Sequence, residues 1–282
     1  MNDTDLKWDR VRIVFLWVAL PLVVGILIAS AIPKPVIGVI RLDDAIYAAS
    51  ARDMIVQINY AIDRSEVRAV VLALDSPGGT VVDTEAVYME LSRLRARKPV
   101  VTSVNAMSAS GAYYLSVNTD FIYAKPSSLV GNVGVIGYLP PTPFIYEDII
   151  STGPYKLWGA PRDSDMREIE MVKQSFYQAV TLGRGDRLKI GSETLLRGEI
   201  WTGIESLSLG IIDALGTESD AVQKAAELAH IAHFETIDLR LVAGGQNAYS
   251  SFFIQSPEGI ILPYPNEAGN YMLYIPQLPV KQ

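Results

Sequence analysis

The sequence predicts an α/β domain with a parallel sheet, placed behind one apolar segment that is long enough to cross a membrane. Short apolar runs alternate with segments of helical periodicity over most of the chain, and this order is typical of parallel strand–helix–strand units. Residues 13–32 form a run of 20 residues without a charge, which matches the length that crosses a bilayer core. The 282 residues also suffice for one large hydrophobic core.

These observations divide the sequence into four parts. We expect a short tail at 1–12, a transmembrane anchor at 13–32, one α/β domain at 36–242 and a tail of unknown structure at 243–282. Ala29-Ser-Ala31 also resembles the cleavage site of a signal peptide, but such peptides have shorter apolar cores of about 7–15 residues. More basic residues precede the anchor than follow it, which predicts a cytoplasmic N-terminus and an extracytoplasmic domain.

The elements of the domain follow from periodicity and breakers. Strands are predicted at uninterrupted apolar runs, which are Val36–Leu42, Val67–Leu74, Val100–Val104 and Phe121–Ala124. Helices are predicted where apolar residues recur every three or four positions, which is so at Ala51–Arg64, Thr80–Arg97, Ser110–Ser116, Ser164–Arg187 and Glu218–Ala229. Phe234–Val242 alternates like a closing strand, and 244–282 has the texture of a loosely structured tail.

Composition excludes several classes of function. The net charge of −7 is spread along the chain, so no nucleic-acid partner is expected. The absence of cysteine excludes disulfides, thiolate metal sites and a cysteine nucleophile. His230 and His233 are the only histidines, and no third ligand accompanies them, so we expect neither a metal site nor a cofactor.

Ser110 has the surroundings that a nucleophilic serine needs. It follows a predicted strand, precedes a predicted helix and lies among the small residues Ala109, Gly111 and Ala112. Small neighbours let a carbonyl group approach, and a helix N-terminus offers free N–H groups to an oxyanion. The alternative is that these small residues only allow close helix packing, and the local sequence favours that alternative.

The turn Asp75-Ser-Pro-Gly-Gly79 is a second candidate. It ends a buried strand at the edge where open α/β sheets place their sites, and its glycines can turn N–H groups toward a negative oxygen. It lacks the lysine and hydroxyl residue that end a phosphate-binding loop. Alone, it is equally consistent with an ordinary turn.

A serine nucleophile requires a base, and the histidines offer no suitable context. A lysine whose pKa is lowered by apolar surroundings can take that role. Lys156 lies between aromatic and aliphatic residues in Gly153-Pro-Tyr-Lys-Leu-Trp158, whereas the other lysines lie in polar or helical segments. A strand lysine that reaches solvent is an equally good interpretation of Lys156 from composition alone.

Five motifs in order resemble the signal peptide peptidase A family of membrane-anchored serine proteases. The resemblance covers Ile37–Leu239. The motifs are Asp75-Ser-Pro-Gly-Gly79, Ala109-Ser-Gly-Ala-Tyr-Tyr114, Gly131-Asn-Val-Gly-Val135, Gly153-Pro-Tyr-Lys156 with Ala160-Pro-Arg162, and Gly198-Glu-Ile-Trp-Thr-Gly203 with Leu209-Gly-Ile-Ile-Asp213. The resemblance implies a Clp/crotonase-like parallel-sheet fold of the ββα type.

The resemblance also implies a mechanism. It assigns the nucleophile to Ser110, the general base to Lys156 and oxyanion donors to the Gly78-Gly79 turn and to Gly111, without deciding between the two turn glycines. It implies that cleaved signal peptides and other apolar, membrane-derived peptides are substrates. Single-repeat members further imply a homo-oligomer in which neighbouring subunits complete each other's sites.

The chain departs from the family pattern at three places. Asn132 stands where a serine that orients the lysine is common, so Asn132 is a candidate for that role. Leu157 and Trp158 are bulkier than the residues usual after the lysine. The tail after Val242 has no recognised counterpart, and its end at Ile261–Val280 is a candidate to dock on a neighbour or to occupy a groove as a strand.

Three alternatives remain open at this point. A crotonase-type acyl-CoA enzyme would use the same pair of backbone N–H groups on a thioester, but it does not explain the apolar segment or the Ser110 and Lys156 pair. A catalytically silent scaffold that holds peptides would not need these two residues. A stomatin-linked protease of the same fold fits the Tyr113-Tyr114 and Trp201-Thr-Gly203 motifs less well.

Overall fold

A computed structural model describes residues 14–31, 34–138, 152, 153, 156, 163–244, 252–257, 259 and 261–275. The chain divides into two compact units, Met1–Pro35 and Val36–Gln282. The sequence also predicts extended segments at 144–150 and 155–158, and these lie outside the described residues, except for Lys156.

The first unit contains a π-helical turn, Phe15–Ala19, followed by helix α1, Leu20–Ala31. Its apolar side chains are largely exposed, and Trp17 is 79% exposed. Within the described ranges, no helix combines the length and the apolar character that a membrane crossing requires. The membrane anchor at 13–32 therefore stays a prediction.

A mainly parallel sheet of eight strands forms the centre of the second unit, and this part of the predicted fold class is confirmed. Its central order is β10-β1-β2-β4-β5-β9, while β6 pairs with β4 and β8. The pair β6–β8 is antiparallel, and the other pairs are parallel. The strands are β1 (Val36–Leu42), β2 (Val67–Ser76), β4 (Val100–Ala109), β5 (Phe121–Ala124), β6 (Leu129–Gly131), β8 (Ile200–Thr202), β9 (Ala214–Leu215) and β10 (Glu235–Asp238).

Helices cover both faces of this sheet, which explains why its inner strands are apolar without interruption. On β2, Leu72 packs in the cluster formed with helices α2 and α3, whereas its neighbour Val71 packs on the opposite face, in the cluster formed with α8. The helices of the domain are α2 (Ala48–Asp63), α3 (Val81–Arg95), α4 (Gly111–Ser116), α5 (Asp163–Arg184), α6 (Ser192–Leu195), α7 (Gly203–Ser208), α8 (Glu218–Leu228) and α9 (Leu239–Ala243).

Two short sheets lie outside the main one. Strands β3 (Gly78–Thr80), β13 (Gly269–Leu273) and β7 (Ile136–Tyr138) form an antiparallel sheet with β13 in the middle, and β11 (Phe253–Gln255) pairs with β12 (Ile261–Pro265). The expectation of a loosely structured tail is therefore wrong for β11, β12 and β13. The burial of β13 comes from long-range pairing with β3 and β7, which local texture does not reveal.

Two further boundaries differ from prediction. Strand β4 continues to Ala109 instead of ending at Val104, because its last residues pair with Ser76 of β2 and with β6. The predicted closing strand at 234–242 is a strand only over Glu235–Asp238, and Asp238 then caps α9 by accepting the N–H of Arg240. A side-chain cap of this kind satisfies an amide at the start of a helix.

Candidate active site

Ser110 lies at a sharp turn between β4 and α4. It is 1% exposed and has φ of 52° and ψ of −117°, a conformation that non-glycine residues rarely adopt. Its N–H donates to Gly131 O at 2.8 Å, and its carbonyl accepts from Tyr114 N at 2.9 Å. These two bonds hold the serine at the start of a helix despite the backbone strain, which is common at functional sites.

The backbone around Ser110 leaves no room for additional side chains. A Cβ atom on Gly111 would lie 2.8 Å from Thr84 Oγ1 and 3.0 Å from Met272 O. A Cβ atom on Gly78, where φ is 91°, would lie 2.6 Å from Gly111 N and 2.0 Å from Met272 O. The two glycines therefore bring the amide of Gly111 and the Gly78-Gly79 turn to the same point.

The two turn glycines differ in how their amides are used. The N–H of Gly78 donates to Ser76 Oγ at 3.2 Å. On one side of the turn, Ile46 N–H donates to Gly78 O at 2.8 Å and Thr80 N–H donates to Ile46 O at 2.9 Å. The backbone groups of Gly79, which lies between these bonds, point to the opposite side, where β13 pairs with the turn.

The register of β13 defines the partner of Gly79. Tyr274 and Pro77 form a hydrogen-bonded pair, because Tyr274 N–H donates to Pro77 O at 2.7 Å. Two positions further along each strand, Met272 is paired with Gly79. Because bonded pairs alternate along an antiparallel ladder, the N–H of Gly79 faces the carbonyl of Met272.

Asn132 lies close to the serine, directly after the residue that accepts the Ser110 N–H. Its φ is 56°, its N–H donates to Glu199 O at 2.7 Å, and its Nδ2 donates to Gly198 O at 2.7 Å. It borders a cavity of about 590 Å³ that is also lined by Val133, Ile136, Lys173 and Tyr274. Its amide hydrogen bond is thus made to a loop, while its role toward a lysine stays a prediction.

Lys156 lies in an exposed turn, where its N–H donates to Gly153 O at 3.2 Å. In the part of the chain that the structure describes, no hydrogen bond or ion pair joins Lys156 to Ser110. The structure brings Ser110, Gly78, Gly79, Gly111 and Asn132 together, and none of the contacts described for Lys156 is made to these residues.

The helix that follows Ser110 is held by two buried tyrosines. Tyr113 OH donates to Ile211 O at 3.0 Å. The centroid of the Tyr114 ring lies 4.4 Å from that of Tyr88 and 5.2 Å from that of Phe176. Burial raises the pKa of both phenols, that of Tyr114 to about 12. The tyrosines therefore remain neutral and fix α4 at physiological pH.

The histidines show no catalytic arrangement among the described residues. His230 and His233 are exposed, and His230, which has φ of 55°, lies two residues after the end of α8. No group of three His, Cys, Asp or Glu residues able to hold a metal ion occurs in the described ranges.

Two residues that shape this site, and one that packs against it, were not predicted from the sequence. Ser76 and Thr84 are fully buried. Ser76 Oγ accepts the N–H of Gly78 and so shapes the glycine turn, while Thr84 Oγ1 donates to Thr80 O at the start of helix α3. Met272 is also fully buried, although its segment lies in the supposed tail. The apolar run 271–275 after Gly269 was the available signal, but a run of that length does not identify its partner.

A family model decides the identity of this fold and site. The model for peptidase family S49 matches residues 92–232. The chain belongs to peptidase family S49. Members of the family are serine peptidases, and this chain is therefore a serine peptidase.

Individual S49 relatives differ in how much of their length the chain spans. Protease 4 of Salmonella typhi is 33% identical over 59% of this chain, but the match spans only 29% of that protein. A putative protease of Synechocystis sp. is 32% identical over 64% of this chain and 70% of its own length.

A solved structure supports the S49 fold. A membrane-bound stomatin-specific protease in complex with a substrate peptide superposes with a TM-score of 0.50, at 17% identity, over 69% of this chain and 81% of that chain. At this level of identity the similarity concerns the fold alone.

Proposed function

We propose that this serine peptidase is an endopeptidase for apolar, extended peptides and that Ser110 and Lys156 form its catalytic dyad. The observation that supports it most is the strained, buried Ser110 beside the amide of Gly111 and the Gly78-Gly79 turn. The assignment of Lys156 as the base rests on the motif Gly153-Pro-Tyr-Lys156.

The proposed reaction follows the acyl-transfer logic of serine peptidases. Neutral Lys156 accepts the hydroxyl proton of Ser110 while Oγ attacks the carbonyl carbon of the substrate. The protonated lysine then gives this proton to the leaving amine as the peptide bond breaks. Water, deprotonated by the same lysine, attacks the acyl ester, and its proton returns to Ser110 when the acid product leaves.

We propose Gly79 and Gly111 as the oxyanion donors. The amide of Gly78 is used by Ser76 Oγ, whereas that of Gly79 points away from Ile46 and toward the position beside Gly111. Donors fixed in this way stabilise the negative oxygen of the tetrahedral intermediate, and loss of one such donor typically reduces the rate by about 10²–10³.

The backbone edges of strands β3 and β7 beside Ser110 support the proposed substrate class. Strands β3 and β7 both pair antiparallel with a strand that lies between them, so an extended peptide finds backbone partners on both sides. Val133, Val135 and Ile136 contribute apolar side chains to the cavity beside Asn132. These features favour extended apolar segments, of which cleaved signal peptides are one class.

The dyad is tested with matched serine and lysine variants. We expect Ser110→Ala and Lys156→Ala each to abolish hydrolysis of an apolar peptide, whereas Ser108→Ala and Lys189→Ala keep it. A serine-reactive fluorophosphonate, followed by peptide mapping, should modify Ser110. Full hydrolysis by either dyad variant, or labelling of another serine, would refute the assignment.

We also propose that residues 13–32 anchor the chain in a membrane, with the N-terminus cytoplasmic and the peptidase domain extracytoplasmic. The uncharged run and the excess of basic residues before it support this proposal. The full chain should remain with membranes after alkaline carbonate washing, and a chain lacking residues 1–35 should not. Release of the full chain by carbonate would contradict the anchor.

A further inference from the structure

We propose that the C-terminal strand β13 is a built-in occupant of the peptide groove and that it competes with substrates for the active site. The inference rests on the proposed function for the identity of the groove. It concerns residues 269–275 of this chain, which the S49 family model, ending at residue 232, does not include.

The strand occupies the position that an extended substrate would need. Tyr271, Met272 and Leu273 pair antiparallel with Thr80, Gly79 and Gly78. Gly269, Asn270 and Tyr271 pair antiparallel with Tyr138, Gly137 and Ile136. While β13 is in place, a second peptide cannot make these backbone bonds to β3 or β7.

The carbonyl of Met272 takes the place of a substrate carbonyl. Its oxygen faces the amide of Gly79 through the ladder, and it lies 3.0 Å from the point where a Cβ on Gly111 would stand. The side chain of Met272 is completely buried, in the same apolar cluster as Val81, Tyr114 and Val133. The oxyanion position and the adjacent apolar space are thus both filled by one residue of the chain itself.

The occupant is held by its own small aromatic cluster. Phe252 packs against Tyr47 at a centroid distance of 5.4 Å and against Tyr271 at 6.0 Å. Tyr271 OH donates to Glu267 O at 2.7 Å, and Asn266 N–H donates to Phe252 O at 3.0 Å. These contacts preorganise the segment that precedes Met272, which reduces the entropy lost when the strand docks.

An attached strand of this kind acts as a competitive inhibitor at a fixed effective concentration. A short tether gives an effective concentration in the millimolar range, so an intrinsic dissociation constant of tens of micromolar raises the apparent KM by about 10–100-fold. The value of kcat does not change, because a bound substrate has already displaced the strand.

The test compares two acidic substitutions in the full chain. Met272→Asp places a charge in the buried apolar space and expels the strand, whereas Ile261→Asp changes a residue of β12 that is 68% exposed. We expect Met272→Asp to lower the KM for an apolar peptide by about 10–100-fold at constant kcat. The Ile261→Asp variant should match the natural chain.

A peptide with the sequence of residues 266–275 should inhibit the Met272→Asp chain competitively. If the KM is the same in all three chains and the peptide does not inhibit, β13 is not a competitor. The three chains can also be compared without hydrolysis. Each is then prepared with the additional substitution Ser110→Ala, and the affinity for a labelled apolar peptide is measured. Absence of hydrolysis in every chain would therefore contradict the proposed function, while this binding measurement still decides the inference.

The unaltered chain provides a measurement that does not depend on the folding of a variant. Saturation with the 266–275 peptide should speed hydrogen exchange at the amides of residues 271–274, because the attached strand is then released. Unchanged exchange at these amides under saturation would overturn the inference.

Discussion

At the scale of single residues, the backbone of Ser110 makes a thermodynamic prediction that is independent of catalysis. With φ of 52° and ψ of −117°, serine or alanine is strained at this position and glycine is not. We expect the free energy of unfolding of the Ser110→Gly variant to be about 1–2 kcal/mol higher than that of the Ser110→Ala variant, so that the glycine variant is the more stable. Both variants should lack hydrolysis.

Urea unfolding of the two variants measures this difference directly. The added freedom of glycine in the unfolded chain works against the effect by about 0.5–1 kcal/mol and is already included in the expected range. Equal stability of the glycine and alanine variants would mean that the turn at Ser110 is not strained in solution.

The motifs of the sequence could name candidate site residues but not their geometry. Small residues after buried strands marked Ser110 and the glycine turn as candidates, but their roles and that of Gly111 were predicted only through the resemblance of five motifs to a known family. The distinction between Gly78 and Gly79 depends on the Ser76 hydroxyl and on Ile46, which lies more than thirty positions before the turn. No pattern within the motif contains that information.

Among the secondary-structure elements, α4 links the nucleophile to the protein core. Its buried Tyr114 makes the free energy of unfolding vary with pH in the alkaline range. The pKa of Tyr114 is raised to about 12 in the folded chain, compared with about 10 in an unfolded one. A raised pKa means that the folded state holds the proton more tightly. The contribution is therefore complete below pH 10 and is lost as the pH rises toward 12.

Comparison with Tyr114→Phe isolates this effect from other groups that titrate at high pH. Between pH 9 and pH 11.5, we expect the natural chain to lose about 1–2 kcal/mol more unfolding free energy than the phenylalanine variant. Urea denaturation at a series of pH values provides the measurement. Parallel pH profiles for the two chains would show that Tyr114 titrates normally.

Prediction of elements succeeded where the sequence pattern is set by two buried faces. Strands β1, β2 and β5 and the helices between them were found because uninterrupted apolar runs and helical periodicity report burial directly. Strand β13 was missed because its two partners, β3 and β7, lie about 190 and 130 positions earlier in the chain, so the burial of Met272 is a purely tertiary property.

For the whole molecule, the lack of a described contact between Ser110 and its proposed base leads to a proposal about assembly. Lys156 lies in an exposed turn, and the described contacts do not join it to Ser110. The side chains of Val82 and Met89, one above the other on α3, are 76% and 67% exposed. We propose that copies of the chain associate and that each Ser110 is served by Lys156 of a neighbour.

Mixing of two inactive variants tests this arrangement. A site built from two chains can combine Ser110 of a Lys156→Ala chain with Lys156 of a Ser110→Ala chain, so the mixture should regain hydrolysis after dissociation and reassembly. Up to about a quarter of the natural activity is expected at equal amounts, because only one in four pairings contains both groups. Each variant alone, treated in the same way, is the control, and size-exclusion chromatography must show that the mixture has assembled. An assembled mixture without activity would place Ser110 and Lys156 of each site in the same chain.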